Sequence, residues 1–280
     1  MSKVRDVRVQ PQWDVGQSDA LIVTWNAIVL DEPLVTLFRV YRSLDGVIGN
    51  YVLLGETVLT QFKDAQISQT RPSYDPLYKV TYVTGTGESE VESSLSDATP
   101  SGVLTLFADK HGTARHTVHH ALLQSVAQAN FVITTFGEDV VLFLKKVVGE
   151  KCPKCYDTVD GTSENPRCEI CFGTGIVGGY EIFYTRAFVD SAQEKLDAGE
   201  HAVAVVKNPI MTVSNFPYVH EGDYVRRADG KIFIVGSVNA IVIATYLAQQ
   251  QFQMGQVPAT SILYKKLVTT STEHSVISPT

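Results

Sequence analysis

VVLFLKKVVGEKCPKCYDTVDGTSENPRCEICFGTGIVGGYEIFYTRAFV, residues 140–189, contains every cysteine of this 280-residue chain. The cysteines form two CxxC pairs, Cys152 with Cys155 and Cys168 with Cys171, and twelve residues separate the pairs. A CxxC pair turns tightly enough to direct two sulfurs at one centre, and two such pairs complete the tetrahedron that zinc prefers. Because no cysteine is left over, the spacing predicts a closed, structural zinc site; two disulfides or four inert buried thiols are the alternatives.

The two ends of this stretch predict β-strands. Residues 140–148 and 180–189 are rich in β-branched and aromatic side chains. The cysteines lie between them, so we expect a long hairpin whose tip, residues 150–179, is a zinc module. The metal would supply the stability that so small an excursion cannot draw from a hydrophobic core. Both strands are apolar at both alternations, which predicts cover on both faces, with a neighbouring subunit as the second cover.

The first hundred residues predict an antiparallel β-sandwich. Short runs of alternating apolar side chains, separated by turn residues, occur at 4–9, 19–26, 35–42, 51–54 and 78–83. In the second run, Leu21, Val23 and Trp25 alternate with Ala20, Ile22 and Thr24.

Five elements of this region follow one another in a recognisable order: FRVYRS (38–43), YVLLG (51–55), FKD (62–64), YKVTYV (78–83) and GES (87–89). With Trp25 on the second strand, this order resembles fibronectin type III domains over about residues 4–99. The resemblance implies a domain of residues 1–100 that acts as a spacer or adhesion module and performs no chemistry. The polar stretch 68–76 is longer than the usual connection in that family.

Residues 101–149 are expected to comprise a linker, one amphipathic helix and a strand. The linker is residues 93–102, by its Ser/Pro/Gly content, and the helix is predicted over 113–134. Its single apolar stripe comprises Val118, Leu122, Val126, Ala129 and Ile133, and Gly137 lies just beyond its end.

Residues 180–270 are predicted to form a small β-barrel-like domain, followed by a polar tail at 271–280. Residues 223–235 predict a hairpin that turns at Asp229-Gly230. Further strands are predicted at 201–207, 210–213, 241–247 and 262–267. The fold class is therefore mainly β and multidomain.

Charge argues against nucleic acid as the partner. The net charge is −7, and residues 1–100 carry 8 basic and 13 acidic side chains. No basic surface of the kind that binds phosphates is expected, hence no sequence-specific nucleic-acid binding. Neither a membrane span nor an apolar signal core is visible, which predicts no membrane partner and a protein made in the cytoplasm, where thiols stay reduced.

Two glycine motifs follow the cysteines. Residues 173–178 satisfy GxGxxG, but a strand is predicted after them, so these glycines are expected to serve the turns of the metal module and not a dinucleotide. Residues 168–175 match CxxCxGxG, the zinc repeat of DnaJ-type chaperones. That family has four such repeats and a His-Pro-Asp helical domain that this chain lacks, so the likeness implies the zinc geometry alone.

Other clusters are interpreted as surface features. His116, His119 and His120 share one helix face without a nearby carboxylate, which favours a solvated or interface patch over a metal site. Arg226-Arg227 with Lys231 is a small basic spot on a strand face. No GxSxG, P-loop, HExxH or kinase motif and no paired-carboxylate site is found, so no enzymatic activity is expected.

A second resemblance concerns the whole region after the linker. It rests on ARH (114–116), FG (136–137), LKK (144–146) and CFGTGIVGGY (171–180), with GDYV (222–225) and DGKIFIV (229–235) in the barrel-like domain. These segments resemble structural proteins of contractile-tailed bacteriophages and the small β-barrels of head–tail connector proteins. The resemblance implies a structural virion protein that forms a neck ring between portal and tail.

The expected partners follow from that resemblance. They are other copies of the chain in a ring, neighbouring portal, connector or tail proteins, and a weak host-surface contact through the fibronectin-like domain. The expected location is the virion, after assembly in the host cytoplasm. A tail or baseplate protein and a zinc-stabilised nucleic-acid-binding module are the alternatives.

Overall fold

The structure, a computed structural model, describes residues 4–14, 17–26, 35–43, 50–66, 76–85, 91–93, 96, 99–100, 128–156, 165, 167–190, 209–243, 246–258, 260–261 and 264. These residues are mainly in β-strands, and a helix (α1) covers residues 128–136. The strands are β1 Arg5–Asp14, β2 Gln17–Asn26, β3 Val35–Ser43, β4 Val52–Thr57, β5 Gln61–Asp64, β6 Leu77–Thr84, β7 Val91–Glu92, β8 Thr99–Pro100, β9 Glu138–Lys145, β10 Tyr180–Asp190, β11 Ile210–Ser214, β12 Tyr224–Arg226, β13 Ile232–Ile243 and β14 Tyr246–Gln256.

Strands β1–β8 form the N-terminal unit, which contains two sheets. One sheet has the order β1-β2-β5; the other has the order β4-β3-β6-β7, with β8 also paired to β6. Both sheets contribute side chains to one hydrophobic core, and Trp25 of β2 meets Phe38 of β3 edge to face at 5.2 Å between ring centroids. The inward set of β2 is Leu21, Val23 and Trp25, as its alternation predicts.

The opposite face of β2 is buried as well. Ile22 is fully buried, and Gln10 of β1 lies directly opposite it in the ladder. Gln10 Nε2 donates a 2.5 Å hydrogen bond to the Tyr218 hydroxyl, and the Gln61 side chain accepts from Tyr218 N at 2.6 Å and donates to Tyr218 O at 3.1 Å. The loop that follows β11 therefore covers the outer face of the β1-β2-β5 sheet.

Part of the predicted linker belongs to this unit. Ser93 N and Ser96 N donate to backbone carbonyls of β6, and the Ser96 hydroxyl oxygen accepts from Val80 N at 3.0 Å. Thr99 and Pro100 then pair with Tyr78 and Leu77. The serines, which suggest a flexible linker, instead supply hydrogen bonds that extend the ladder along β6.

Strands β9–β14 form a closed barrel in the order β10-β11-β14-β13-β12-β9. This confirms the predicted small barrel, and it adds β9, which lies within the segment 101–149. β9 and β10 pair from Lys145↔Tyr180 to Glu138↔Ala187, and β9 pairs with β12 to close the barrel. The thirteen core positions include Leu142, Leu144, Val225, Phe252 and Met254.

The outer face of β9 is covered by this chain itself. Val141 and Phe143 are buried in a second cluster with Tyr224, Ile232 and Val257. The expectation that a neighbouring subunit must cover this strand is therefore wrong for β9. On β10, Tyr184 remains 59% exposed.

Within the described residues, most strand predictions in the barrel are confirmed. The hairpin β12–β13 turns at Asp229-Gly230, and β11 includes the predicted residues 210–213. The predicted single strand 241–247 is wrong, because it includes the end of β13 and the start of β14, which pair antiparallel with Ile243 opposite Tyr246. Residues 201–207, most of 262–267 and the tail 271–280 lie outside the described residues.

Helix α1 is anchored to the barrel. Gly137 N donates to Ile133 O at the helix end, and a Cβ at Gly137 would lie 2.2 Å from that same oxygen. Arg186 of β10 donates to the carbonyls of Thr134 and Gly137, and Gln249 donates to Ala129 O. The earlier part of the predicted helix, residues 113–127, lies outside the described residues.

Across the described part of the chain, no helix is both long enough and apolar enough to span a bilayer.

The N-terminal unit and the barrel exchange anchoring residues, a set of contacts that we term the interlock. Leu59, from the turn between β4 and β5, lies in the barrel core and is 4% exposed. Val148, which follows β9, lies in the core of the N-terminal unit and is 2% exposed. Burying one such side chain contributes about 1.5–3 kcal/mol. The N-terminal unit is therefore packed against the barrel through a buried side chain from each side.

Candidate metal centre

All four cysteines converge on one point at the end of the β9–β10 hairpin. Their sulfurs lie within 4.8 Å of one another, with Cys152 Sγ 3.7 Å from Cys168 Sγ and Cys155 Sγ 3.1 Å from Cys171 Sγ. Four sulfurs held about 2.3 Å from a central zinc would be roughly 3.8 Å apart. A disulfide requires about 2.05 Å, and all four cysteines are free. The arrangement therefore fits a metal ion and does not contain disulfides.

Two matching turns place the sulfurs. Tyr156 N donates to Cys152 O at 3.2 Å, and Phe172 N donates to Cys168 O at 2.9 Å. Each bond closes one turn around a CxxC pair. Cys152 N also donates to Gly175 O at 2.8 Å, which joins the first turn to the segment that leaves the second.

The glycines after Cys171 serve this geometry. Phe172 and Gly173 have φ of 53° and 83°, a region that favours glycine. At Gly179, a Cβ would lie 2.7 Å from Cys171 O. Strand β10 begins at Tyr180, so GxGxxG opens no helix here. The interpretation of these glycines as turn residues is consistent with the structure.

Backbone N–H groups prepare the sulfurs to act as thiolates. The N–H groups of Cys171 and Ile170 donate to Cys168 and lower its pKa from 9.0 to about 6. At Cys171, burial raises the pKa, but the Cys155 thiol and the N–H groups of Gly175 and Gly173 outweigh it, so the pKa is lowered. Since metals bind the thiolate, both effects favour metal binding.

Cationic side chains accompany the cysteines. Four thiolates and a divalent ion carry a net charge of −2, which nearby cations would offset. Lys151 Nζ lies 4.8 Å from the centre of the Tyr156 ring, and Lys146 Nζ donates to Val177 O at 3.4 Å. Cys152, Cys168 and Cys171 are almost fully buried. A closed set of four sulfurs leaves no position for water or substrate, so the chemistry available is structural.

The other predicted clusters do not join this site. Arg227 is held by both carboxylate oxygens of Glu138, at 2.5 and 3.2 Å, and Lys231 pairs with Asp229 at 3.0 Å. The basic spot is therefore largely an ion-paired strand surface. His116, His119 and His120 lie outside the described residues.

One feature that the sequence did not reveal is a cleft beside the metal module. It has a volume of about 740 Å³ and lies between the N-terminal unit, the module and the loop before β12. Its lining includes Arg8, Lys151 and Asp223. The carboxylate of Asp223 accepts from Lys145 N at 2.8 Å and His220 N at 2.7 Å, and burial raises its pKa. These residues are scattered along the chain, so no local motif identifies the cleft.

Comparisons with known proteins add little. No protein family matches the chain. No curated protein matches it either. Among solved structures, pectate lyase Pel3 from Pectobacterium carotovorum has 22% identity to this chain over 31% of this chain and 25% of the lyase, with a TM-score of 0.21. A score that low carries no argument about fold or function.

Proposed function

We propose that Cys152, Cys155, Cys168 and Cys171 hold one structural Zn²⁺. The observation that carries this proposal is the convergence of four free, largely buried sulfurs within 4.8 Å. Soft thiolates in a tetrahedral set select zinc or iron–sulfur chemistry. The CxxC spacing matches zinc modules, and the short hairpin end has a core made mainly of these cysteines.

Metal analysis of the purified protein tests this proposal. We expect one zinc per chain, together with four reduced thiols by mass spectrometry under non-reducing conditions. Iron with a visible charge-transfer absorbance, or two intact disulfides without metal, would contradict it. Expression in medium supplemented separately with zinc and with iron distinguishes genuine preference from metal supply.

We further propose that the chain is a structural protein of a tailed bacteriophage virion, located in the neck and assembled as a ring between portal and tail. This proposal rests on the resemblance of residues 114–180 and 222–235 to contractile-tailed phage proteins. A closed barrel supports it, because a barrel presents no free strand edges and suits side-by-side packing. Phe136 of α1, 69% exposed, and Tyr184 of β10 are apolar side chains on the surface of the described residues.

The N-terminal unit fits a fibronectin type III domain in this proposal. Two sheets with one shared core, and Trp25 within it, support the assignment. Since the interlock fixes this unit to the barrel, we propose that it forms part of the wall of the ring. Contact with the host surface would then involve its outward sheet, β4-β3-β6-β7.

The proposed role is non-enzymatic. The sequence contains no GxSxG, P-loop, HExxH or kinase motif, and the four-sulfur site is closed to substrate. The proposed partners are other copies of the chain and the adjoining portal, connector or tail proteins.

A map of the assembled particle, with this protein labelled, tests the location. A ring at the portal–tail junction is the expected result. A ring or spike at the distal tail would replace the neck proposal with a tail or baseplate role. A monomer bound to DNA would contradict both and favour the nucleic-acid-binding alternative.

A further inference from the structure

The segment between β9 and the first cysteine pair is contacted from two sides. Residues 146–152 lead from the barrel into the metal module, and each side of this short segment hydrogen-bonds to a different part of the molecule. One side faces residues 175–179, which lead from the metal module back to β10. The other side faces the N-terminal unit.

On the module side, the contacts form a short ladder. Lys146 N donates to Gly179 O at 3.0 Å, Val177 N donates to Glu150 O at 2.8 Å, and Cys152 N donates to Gly175 O at 2.8 Å. On one side the ladder reaches Cys152 itself, and on the other side it reaches Gly175, four residues after Cys171. Its register therefore depends on where the two CxxC turns are held.

On the other side, the same segment completes the N-terminal unit. Val147 N and Val148 N donate to Val58 O at 3.2 and 3.4 Å, and Gly149 N donates to Val35 O at 3.2 Å. The side chain of Val148 enters the core that contains Trp25 and Phe38.

Gly149 lies between the N-terminal unit and the metal module, with no room for a side chain. Its φ of +144° is poorly accessible to other residues, and a Cβ there would lie 2.8 Å from Ile176 Cγ2 in the metal module. Ile176 is itself buried. The module therefore packs directly behind the residues that dock into the N-terminal unit.

We infer that the metal module clamps the N-terminal unit onto the barrel, so that metal binding and the interlock stabilise each other. This inference rests on the proposed metal site. When the four sulfurs are held by one ion, residues 147–149 are presented at the register that Val58 and Val35 require. Without the ion, the segment loses its backing while β9 remains in the barrel. Because such a coupling is reciprocal, breaking the interlock must weaken metal binding.

Hydrogen exchange of the full chain tests the forward direction. The zinc-loaded protein is compared with Cys168→Ser, with metal content measured for both. We expect the amides of Val147, Val148 and Gly149 to exchange about 100-fold faster in the variant, because the metal supplies the local stability. Amides of β13 and β14 should keep their protection.

Two adjacent valines test the reverse direction. Val148→Ala removes a side chain buried in the N-terminal core, while Val147→Ala removes the neighbouring side chain, which is 39% exposed. Competition with a chromophoric chelator should show zinc binding about tenfold weaker for Val148→Ala and unchanged for Val147→Ala, a coupling of ordinary size.

The outcomes separate the two proposals. If the wild-type protein binds zinc, but residues 147–149 stay protected in Cys168→Ser and the two valine variants bind zinc equally, the clamp is overturned and the metal site stands. If the wild-type protein binds no metal, both fail.

Discussion

The barrel and the metal module share a pair of strands but are held together by different interactions. Where β9 and β10 run through the barrel, thirteen buried apolar residues form the core. Where the same hairpin continues beyond Lys145 and Tyr180, the central cluster consists of cysteines with Tyr156 beside them. The module is too small to bury much apolar surface, so in the proposed zinc site its stability would come from four metal–sulfur bonds. Under that proposal, one hairpin depends on solvent exclusion at one end and on coordination chemistry at the other.

Cys168→Ser should have the largest effect: it should break the module and release residues 147–149 from the N-terminal unit, while the barrel stays folded. Structural zinc sites contribute about 10–16 kcal/mol of apparent binding free energy. We expect loss of the metal and rapid exchange throughout residues 167–179, with the barrel still folded. Elemental analysis and hydrogen exchange measure the two results. Lys154→Ser, an exposed change inside the same CxxC motif, is the control and should retain the metal.

Phe252→Ala should destabilise the barrel and leave the metal module intact. This ring is 1% exposed in the barrel core, and removing such a ring costs about 3–5 kcal/mol. Denaturant unfolding should show that loss, while zinc stoichiometry stays at one per chain. Phe136→Ala, at an exposed position, should change stability by less than about 0.5 kcal/mol. Metal loss in Phe252→Ala at native conditions would show that the module depends on the barrel core.

Leu59→Ala tests how much a side chain from the N-terminal unit contributes to the stability of the barrel. Leu59 belongs to the N-terminal unit but lies among barrel side chains. Its truncation should lower barrel stability by about 2–5 kcal/mol, read from the exchange of β13 and β14 amides. Leu53→Ala, on the exposed part of β4, is the matched control. An unchanged barrel would mean that the interlock adds no stability to it.

The smallest effect is expected from Lys151→Gln at the rim of the module. The change removes a cation held 4.8 Å from the Tyr156 ring. Such contacts are worth about 0.5–1 kcal/mol at exposed sites, so zinc affinity should fall about two- to fivefold. Lys231→Gln removes the same charge on the β12–β13 turn and should leave zinc affinity unchanged. A larger loss at Lys151 would indicate that charge, and not sulfur alone, stabilises the module.

Local patterns predicted most of the strands and all four candidate ligands. The hairpin 223–235, the strands β2, β3 and β6 and the convergence of the cysteines follow from alternation, turn residues and CxxC spacing, which are all short-range signals. Strand β14 was not predicted over its full length, because the side chains on its inward face are not uniformly apolar. Gln250 points inward and is satisfied there by Val219 N, Ser214 O and Pro217 O, at 2.9, 3.0 and 2.7 Å.

The interlock could not be predicted from the same signals. Leu59 lies in a turn, and Val148 lies beyond the end of β9 although the sequence predicts one strand over 140–148. Alternation therefore does not identify the environment of either side chain. One sequence signal was available, since β2 is apolar at both alternations and such a strand requires cover on both faces. That pattern does not say which part of the chain supplies the cover, because the answer depends on residues about two hundred positions away.

Closure of the barrel sets the order in which this chain can fold. The ladder between β9 and β12 joins Leu142 to Val225, about eighty residues later. Contacts between such distant positions form slowly, because the entropy of the intervening loop must be lost before the contacts contribute any stability. During synthesis β9 therefore emerges long before its partner, with Leu142 and Phe143 uncovered. Early zinc binding would pair β9 with β10 during that interval and shield this apolar strand from other chains.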